Sequence, residues 1–394
     1  ISHSIASSTV MNKENKRKIK VGLIVDEFFG AANTRFGGYG YLARYYIAKY
    51  LKNEEFEFDV LLGKGKSHFF AEKTIVDDVA LYKLPRRKWF TQRFLKKKDY
   101  DIYFSVELTY DNVLKNELDP SKRLILWIQD PRPMYEWDEI FTVKLIPETS
   151  YYNQKIYDLV HSWYKEGRVR FITQAQCLNQ KAIDLYNLDK NVSIDFAPNP
   201  IDIDYNFDVL THPKQNNVVF LGRIASVKRG WIFCEIAKKM PEYNFYVLGK
   251  IFRADDKNHD IMSEYEKIPN LHFVGHVEGE EKNKYLRDAK VLVNSSIHEA
   301  LPVSFLEALS FGTLLVSNRN PDDLTSKFGI HVGEVLGNGF DKVDLFVNAV
   351  RELIENDEKR KTLSIEAIDY IKKVHNVDDF IKNTHAIIKD ELTK

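Results

Sequence analysis

Two carboxylates, Glu299 and Glu307, stand eight residues apart in residues 298–311, HEALPVSFLEALSF. Pro302 suits the first turn of a helix, where its missing N–H costs nothing. Leu301, Phe305, Leu306, Ala308 and Leu309 then recur at helical spacing, and Gly312 stops the run. A strand pattern precedes the stretch (290–294, KVLVN) and another follows it (313–317, TLLVS). Glu299 is therefore expected in a strand-to-helix loop. The helix after it offers free N–H groups and a partial positive charge, a seat for phosphate. Glu307 is expected about two turns on, near the same side. A second pair of groups, Arg223 and Lys228, follows the strand pattern 218–222 (VVFLG) and precedes an apolar helix from Trp231. Cations at a strand's carboxyl end can clamp both phosphates of a diphosphate, Arg bidentately and Lys as a point charge. In isolation each pair has a plainer reading: an incidental acid on a core helix, and two exposed cations in a loop.

The elements that must position these groups are legible along the chain. Residues 18–25 (KIKVGLIV) form an apolar run of strand length. Gly30, Gly37, Gly38 and Gly40 follow, then a helical pattern over 39–51. Strand, glycine loop and helix open a nucleotide-binding type of βα unit, although the spacing is not G-x-G-x-x-G. Further strands are expected over 58–62, 103–106, 124–128 and 169–172, with helical patterns between several of them. Alternating strands and helices argue for a parallel sheet covered on both faces. Residues 197–204 (APNPIDID) read as a linker. Beyond it, 245–249 (FYVLG) and 270–275 (NLHFVG), followed by His276 and Val277, read as strands ending in glycine turns.

Length and composition bound the answer. At 394 residues the chain exceeds one ordinary core, so two domains are expected. Apolar content of 44% and charged content of 29% belong to a globular chain. The zero net charge gives no global field for nucleic acid, which is not expected as a partner. That zero conceals about +5 in residues 1–200 and about −5 in the remainder. Cys177 and Cys234 have no ligands at metal spacing and read as small buried hydrophobes in a reducing compartment. No apolar run approaches the ~18 residues of a membrane span. Residues 1–17 carry no signal-type apolar segment and read as disordered or foreign, with 1–10 standing ahead of a native start at Met11. Residues 83–98 (KLPRRKWFTQRFLKKK) hold eight Lys and Arg and no acid, with Trp89, Phe90, Phe94 and Leu95 interleaved. This segment is either a surface helix with an aromatic edge turned inward or one that lies on an anionic membrane.

Together these motifs resemble the retaining glycosyltransferases of family 4, which have the GT-B fold. Glu299-Ala300-Leu301-Pro302-Val303 through Glu307-Ala308 is similar to the family's Glu-x7-Glu signature, with Leu301-Pro302 where many members have Phe-Gly. Gly222-Arg223-x4-Lys228 is similar to its donor-phosphate motif. The resemblance covers 218 to about 335 well and the first half loosely. It implies an α/β GT-B architecture: two Rossmann-like, doubly wound domains facing a cleft, with a C-terminal helix crossing back to the first. The expected divisions are an acceptor domain over 18–198, a linker over 199–206, a donor domain over 207–374 and the returning helix over 375–394.

The resemblance further implies a hexosyltransferase-type enzyme. It would move a sugar from a nucleotide-diphosphate donor to a glycan or lipid-linked acceptor, with retention, in polysaccharide biosynthesis. Glu299, Arg223 and Lys228 are the implied catalytic residues. Glu307, Gly37, Gly38, Gly222, Gly249, Val277, Ala300, Leu301, Pro302 and Val303 are the implied donor contacts. Asp130, at the end of the 124–128 strand, is the acceptor-side candidate; Gln129 stands where a His is commoner, and Asp130 before Pro131 also reads as a plain turn start. Asp202-Ile203-Asp204 spells Asp-x-Asp but follows a Pro-rich linker, so it reads as solvated charge. No metal or other cofactor is expected. The expected location is cytoplasmic, at the inner face of a membrane if 83–98 binds lipid. Two other readings share these letters: a GT-B nucleotide-sugar epimerase, and a non-catalytic sugar-nucleotide-binding module.

Overall fold

The computed structural model describes residues 16–67, 69–107, 117–250 and 256–394. Residues 1–15, within the segment expected to be disordered or foreign, lie outside the described residues. The chain divides into two compact units, one of residues 1–104 and 114–122, the other of 105–113 and 123–394.

In the first unit the strand order is β3-β4-β2-β1-β5. The strands are β1 (Ile19–Val25), β2 (Phe56–Ser67), β3 (Glu72–Val76), β4 (Val79–Pro85) and the start of β5 (Ile102–Val106). β1 lies parallel to β2, with Val21 opposite Phe58 and Leu23 opposite Val60. Their near-continuous apolar letters suit strands buried on both faces. The antiparallel pair β3 and β4 was not among the expected strands. Its turn residues Asp77 and Asp78 both have positive φ, 53° and 61°, the backbone a two-residue hairpin demands. Asp-Asp is a fainter signal of that turn than Asn-Gly. After the glycine loop, α1 (Gly38–Leu42) runs through π-helical turns (Ala43–Ala48) into α2 (Lys49–Leu51). The basic segment forms α3 (Lys88–Lys98), burying Thr91 and Leu95 and leaving Trp89 59% exposed.

In the second unit β6 (Leu124–Ile128), β7 (Val169–Thr173) and β8 (Asp195–Phe196) are parallel. Between and after them lie α4 (Met134–Ile140), α5 (Gln154–Lys165) and α6 (Asn179–Tyr186). A second sheet has the order β11-β10-β9-β12-β13-β14, every pair parallel. Its strands are β9 (Asn217–Leu221), β10 (Asn244–Leu248), β11 (Leu271–Gly275), β12 (Val291–Asn294), β13 (Leu314–Ser317) and β14 (Gly329–His331). Successive side chains of a strand point to opposite faces, and here both faces are covered. Val218, Phe220, Val291, Val293, Leu314 and Val316 enter one core with Trp231, Phe233 and Ile236 of α7 (Gly230–Lys239). Val219, Leu292 and Leu315 enter the other with Phe305, Leu306 and Leu309. That is why these strands carry no polar alternation.

The remaining helices are α8 (Asp256–Ser263), α9 (Gly279–Asp288), α10 (Val303–Ser310), α11 (Leu324–Lys327), α12 (Val343–Glu355), α13 (Asp357–Val374) and α14 (Val377–Leu392). On α14, Phe380 stacks on Trp127, and the fully buried Glu391 pairs with Arg123 (2.5 Å) and Arg170 (3.4 Å). The linker is pinned to the end of α13: His375 Nδ1 meets Asn199 O at 2.7 Å, and Ile201 N donates to His375 O. Asp202 and Asp204 are exposed. Cys234 is buried as expected, but Cys177 is exposed, because in its 3-10 turn only Leu178 faces the core. Among the described residues no helix is long and apolar enough to cross a membrane.

Candidate functional site

β9 has β10 on one side and β12 on the other, so the strand order reverses there. Loops at the carboxyl ends of strands flanking such a point form a crevice suited to ligands. The loop after β9 carries Arg223 and Lys228; the loop after β12 carries Glu299. Both expected groups therefore arise at the place where the topology opens the sheet.

The first loop is set by close backbone contact. A Cβ on Gly249 would collide with the carbonyl oxygen of Gly222, so a side chain is excluded at Gly249. Gly222 N donates to Leu248 O and Ile224 N to Lys250 O, which zips the two strand ends together. A 3-10 turn (Ser226–Lys228) leads to Arg229, whose φ of 46° is left-handed. Arg229 is completely buried and has no carboxylate partner among the described residues. Its guanidinium donates to Ser295 O (2.7 Å), Ser296 O (3.2 Å), Val335 O (2.7 Å) and Gly337 O (3.0 Å). Burial brings its pKa down to about 10, and it remains charged at neutral pH. Ser295 Oγ donates back to the Lys228 and Arg229 carbonyls, and Ile297 N to Val227 O. Arg229 thereby holds the two loops as one body.

Lys228 and Glu299, 71 residues apart, are brought together: the ammonium donates to Glu299 Oε1. The same oxygen accepts from Ser296 Oγ (2.8 Å) and Asn294 Nδ2 (3.2 Å). Burial drives the Glu299 carboxyl pKa up. The Lys228 charge and these hydrogen bonds outweigh it and leave the group below its ordinary value, hence ionised. Arg223 is exposed on the same loop. Leu301 is buried, while Ala300, Pro302 and Val303 are partly exposed. Pro302 caps α10 without a side-chain hydrogen bond, and no acid sits in the first turn. Glu307, on α10, forms an ion pair with Lys282 of α9 at 2.5 Å, each side chain about one-fifth exposed. Val277 is buried beside the second core. Gly37 and Gly38 belong to the first unit, where a Cβ on Gly37 would collide with the Glu27 carboxylate and Gly38 has open space. Glu27 also accepts from Gly40 N at 3.3 Å.

Asp130 follows β6 and lies in a buried charge network. One carboxylate oxygen accepts from His298 Nε2 (2.7 Å), the other from Arg132 (2.9 and 3.0 Å). Its backbone N, like that of Gln129, donates to Glu107. Burial works against the charge, but His298 and Arg132 hold the carboxyl far below its usual range. A carboxylate engaged in this way is an anchor and a poor proton acceptor. His298 Nδ1 lies 2.8 Å from Glu136 on α4, and Glu136 pairs with Lys181 of α6 at 2.7 Å. Burial is again overcome by His298 and Lys181, which bring Glu136 down to about 2. Gln174 Nε2 bridges Gln129 O and Leu301 O. Sequence reasoning missed the roles of His298, Glu136, Lys181, Gln174, Arg229 and Lys282. His298 and Arg229 stood beside flagged residues; the others had no local signal.

Residues 202–370 match the model of the family described as glycosyl transferases group 1. Among solved structures, the chain is similar to the sucrose-phosphate synthase of Thermosynechococcus elongatus, at 13% identity over 95% of this chain and 99% of that one, TM-score 0.68. It is similar to a glycosyltransferase from Rickettsia africae, at 12% identity over 95% and 99%, TM-score 0.68. It also resembles the Anabaena protein HepE in complex with UDP, at 11% identity over 95% and 100%, TM-score 0.67. No curated protein matches the chain. At such identities the likeness is one of fold: this chain has the GT-B fold.

Proposed function

We propose that the chain transfers a sugar, of hexosyl type, from a nucleoside-diphosphate donor to a glycan or lipid-linked acceptor, with retention and without a metal. The observation that carries the reading is the meeting of Lys228 and Glu299 where the strand order reverses, beside the uncapped start of α10. The group 1 match over the same segment supports it. So do the solved complexes of HepE with UDP and with UDP-glucose.

In this reading the bond between the anomeric carbon and the diphosphate oxygen breaks as the acceptor oxygen bonds to that carbon from the same face. The acceptor proton leaves with the diphosphate oxygen. Arg223, Lys228 and the α10 N–H groups meet the growing negative charge, a preorganised electrostatic stabilisation. Glu299 holds sugar hydroxyls, and Glu307 accepts from the ribose hydroxyls. Asp130 orders the acceptor side. Gly37 and Gly38 bring backbone N–H groups to the donor. Gly222, Gly249, Val277 and residues 300–303 shape its seat. In this reading 18–198 serves the acceptor, 199–206 is the linker, 207–374 serves the donor, and 375–394 is the returning helix.

The protein works in the cytoplasm, in polysaccharide assembly, and α3 touches an anionic membrane. Trp89 is exposed with Arg93 over its ring, which supports that contact. The test is a thermal-shift panel of UDP-, GDP-, ADP- and dTDP-sugars, followed by transfer assays with and without EDTA. One donor should raise the melting temperature by mass action, and transfer should persist in EDTA. Donor turnover without acceptor would give an epimerase. Binding without transfer would give a binding module. Loss of transfer in EDTA, restored by manganese or magnesium, would return Asp202 and Asp204 as ligands.

A further inference from the structure

His298 precedes Glu299 directly and is 2% exposed. Both its ring nitrogens face carboxylate oxygens, Asp130 at 2.7 Å and Glu136 at 2.8 Å. An ionised carboxylate only accepts hydrogen bonds, so two such partners require an N–H on each nitrogen: an imidazolium. The charges around it agree. Glu107, Asp130 and Glu136 supply three negative charges, and Arg132 and Lys181 two positive ones. Among the described residues, a protonated His298 offsets a negative charge on each side of its ring. Further out, Glu139 of α4 and Arg319 lie 3.8 Å apart and offset one another.

His375 is the internal control. It is 1% exposed, but its Nδ1 meets the neutral Asn199 carbonyl and, among the described residues, no carboxylate. Burial brings it down to about 4, so it is neutral at pH 7. Burial lowers His298 too, but Asp130 and Glu136 overcome it and the pKa is raised. Equal burial with different partners gives opposite charge states.

The imidazolium also has mechanical consequences. On its far side Glu299 is fixed by Lys228, Ser296 and Asn294. Three residues on, Leu301 O is tied through Gln174 to Gln129 O. The 298–301 loop is thus fastened to the end of β6 at two points, of which only His298 carries a titratable group. Resting on the transferase reading for its kinetic part, we propose that His298 is a positioning residue. Its imidazolium fastens the Glu299 loop to Asp130 and Glu136, and Glu299 keeps its place only while that fastening is charged. For a histidine with a raised pKa the sign is fixed. The contribution is complete below the unfolded value of about 6.5 and is lost as pH rises through the folded value.

The experiment is a pH titration of 15N-histidine-labelled full-length protein by NMR, alongside kinetics. His298 should carry both N–H groups at pH 7, and His375 one. The backbone amides of Glu299 and Ala300 should shift with the His298 midpoint, and that of Glu307 should not. In kinetics, kcat should fall on the alkaline side with the same midpoint while donor KM holds. Asp130→Asn should move both midpoints to lower pH. His298→Gln should lower kcat at least tenfold, lose that alkaline limb and bind UDP within twofold of wild type. Should His298→Gln not fold, Asp130→Asn and the NMR titration decide. A neutral His298 at pH 7, or Glu299 amides indifferent to its titration, overturns the proposal. If no donor is turned over, the transferase reading fails while the NMR titration still judges this one.

Discussion

Glu299 and Glu307 share one sequence signature and occupy different physical settings. Glu299 lies in a loop, its side chain 9% exposed, and one of its oxygens receives a lysine, a serine and an asparagine. Glu307 lies on α10, 22% exposed, and among the described residues its carboxylate pairs with the flexible Lys282 alone. The first is locked in position and ionised before any ligand arrives. The second can exchange Lys282 for a ligand's hydroxyls at small cost, because a partly solvated ion pair of this kind is worth only ~0–1 kcal/mol. Eight residues therefore separate a group suited to a changing reaction centre from one suited to steady recognition.

The largest expected effect comes from removing the cations at the Glu299 end. Arg223→Ala or Lys228→Ala should lower kcat/KM by roughly 100- to 1,000-fold, as losing one preorganised donor costs ~3 kcal/mol. The two should differ in stability. Arg223 is exposed, so its variant should melt like wild type. Lys228→Ala leaves a buried carboxylate short of its counter-charge and should melt measurably lower. Turnover within twofold of wild type in both variants would remove the diphosphate assignment.

A smaller effect should separate the glutamates themselves. Glu299→Gln should cut kcat by roughly 10- to 100-fold, since hydrogen bonds to charged groups contribute ~1.5–3 kcal/mol, with little change in donor KM. Glu307→Gln should raise donor KM by about tenfold and spare kcat, the mark of uniform binding removed. The opposite pattern would place sugar and ribose at the wrong ends of α10.

The smallest effect belongs to α3. Lys98 is turned inward, donating to the Tyr82 hydroxyl at 2.8 Å, so Lys96 and Lys97 are the residues to neutralise. Their double glutamine variant should bind anionic vesicles more weakly by ~1 kcal/mol per charge, with donor kinetics unchanged. Equal vesicle binding would make α3 an ordinary surface helix.

Much of the second sheet was legible because a parallel strand buried on both faces must be apolar throughout. The expected strands at 218–222, 245–249, 270–275, 290–294 and 313–317 correspond to β9, β10, β11, β12 and β13. β14 escaped notice because Gly329–His331 is three residues long and not hydrophobic throughout. At the site, Lys228 and Glu299 could be named because each sits beside a strand end. Nothing local announces that Glu136, 162 residues from His298, receives its imidazole. Burial and pairing of charge are properties of the folded chain. Lys282 was hidden for the same reason: on α9 it reads as one more solvated helix charge.

Arg229 gives the loops that carry Lys228 and Glu299 a property that outlasts its contacts. With its guanidinium bonded to backbone carbonyls, its positive charge meets no opposing ion among the described residues. The field beneath the Lys228 loop is therefore a standing one, present in the empty protein and unchanged between acid and mildly alkaline solution. A lysine could not substitute there, because three donors on a narrow head cannot reach four spread carbonyls. A neutral residue would leave those carbonyls facing one another across a void. The backbone is thus arranged around this one cation, and attraction for an anion is written into the architecture of the loops as well as into the side chains an anion would touch.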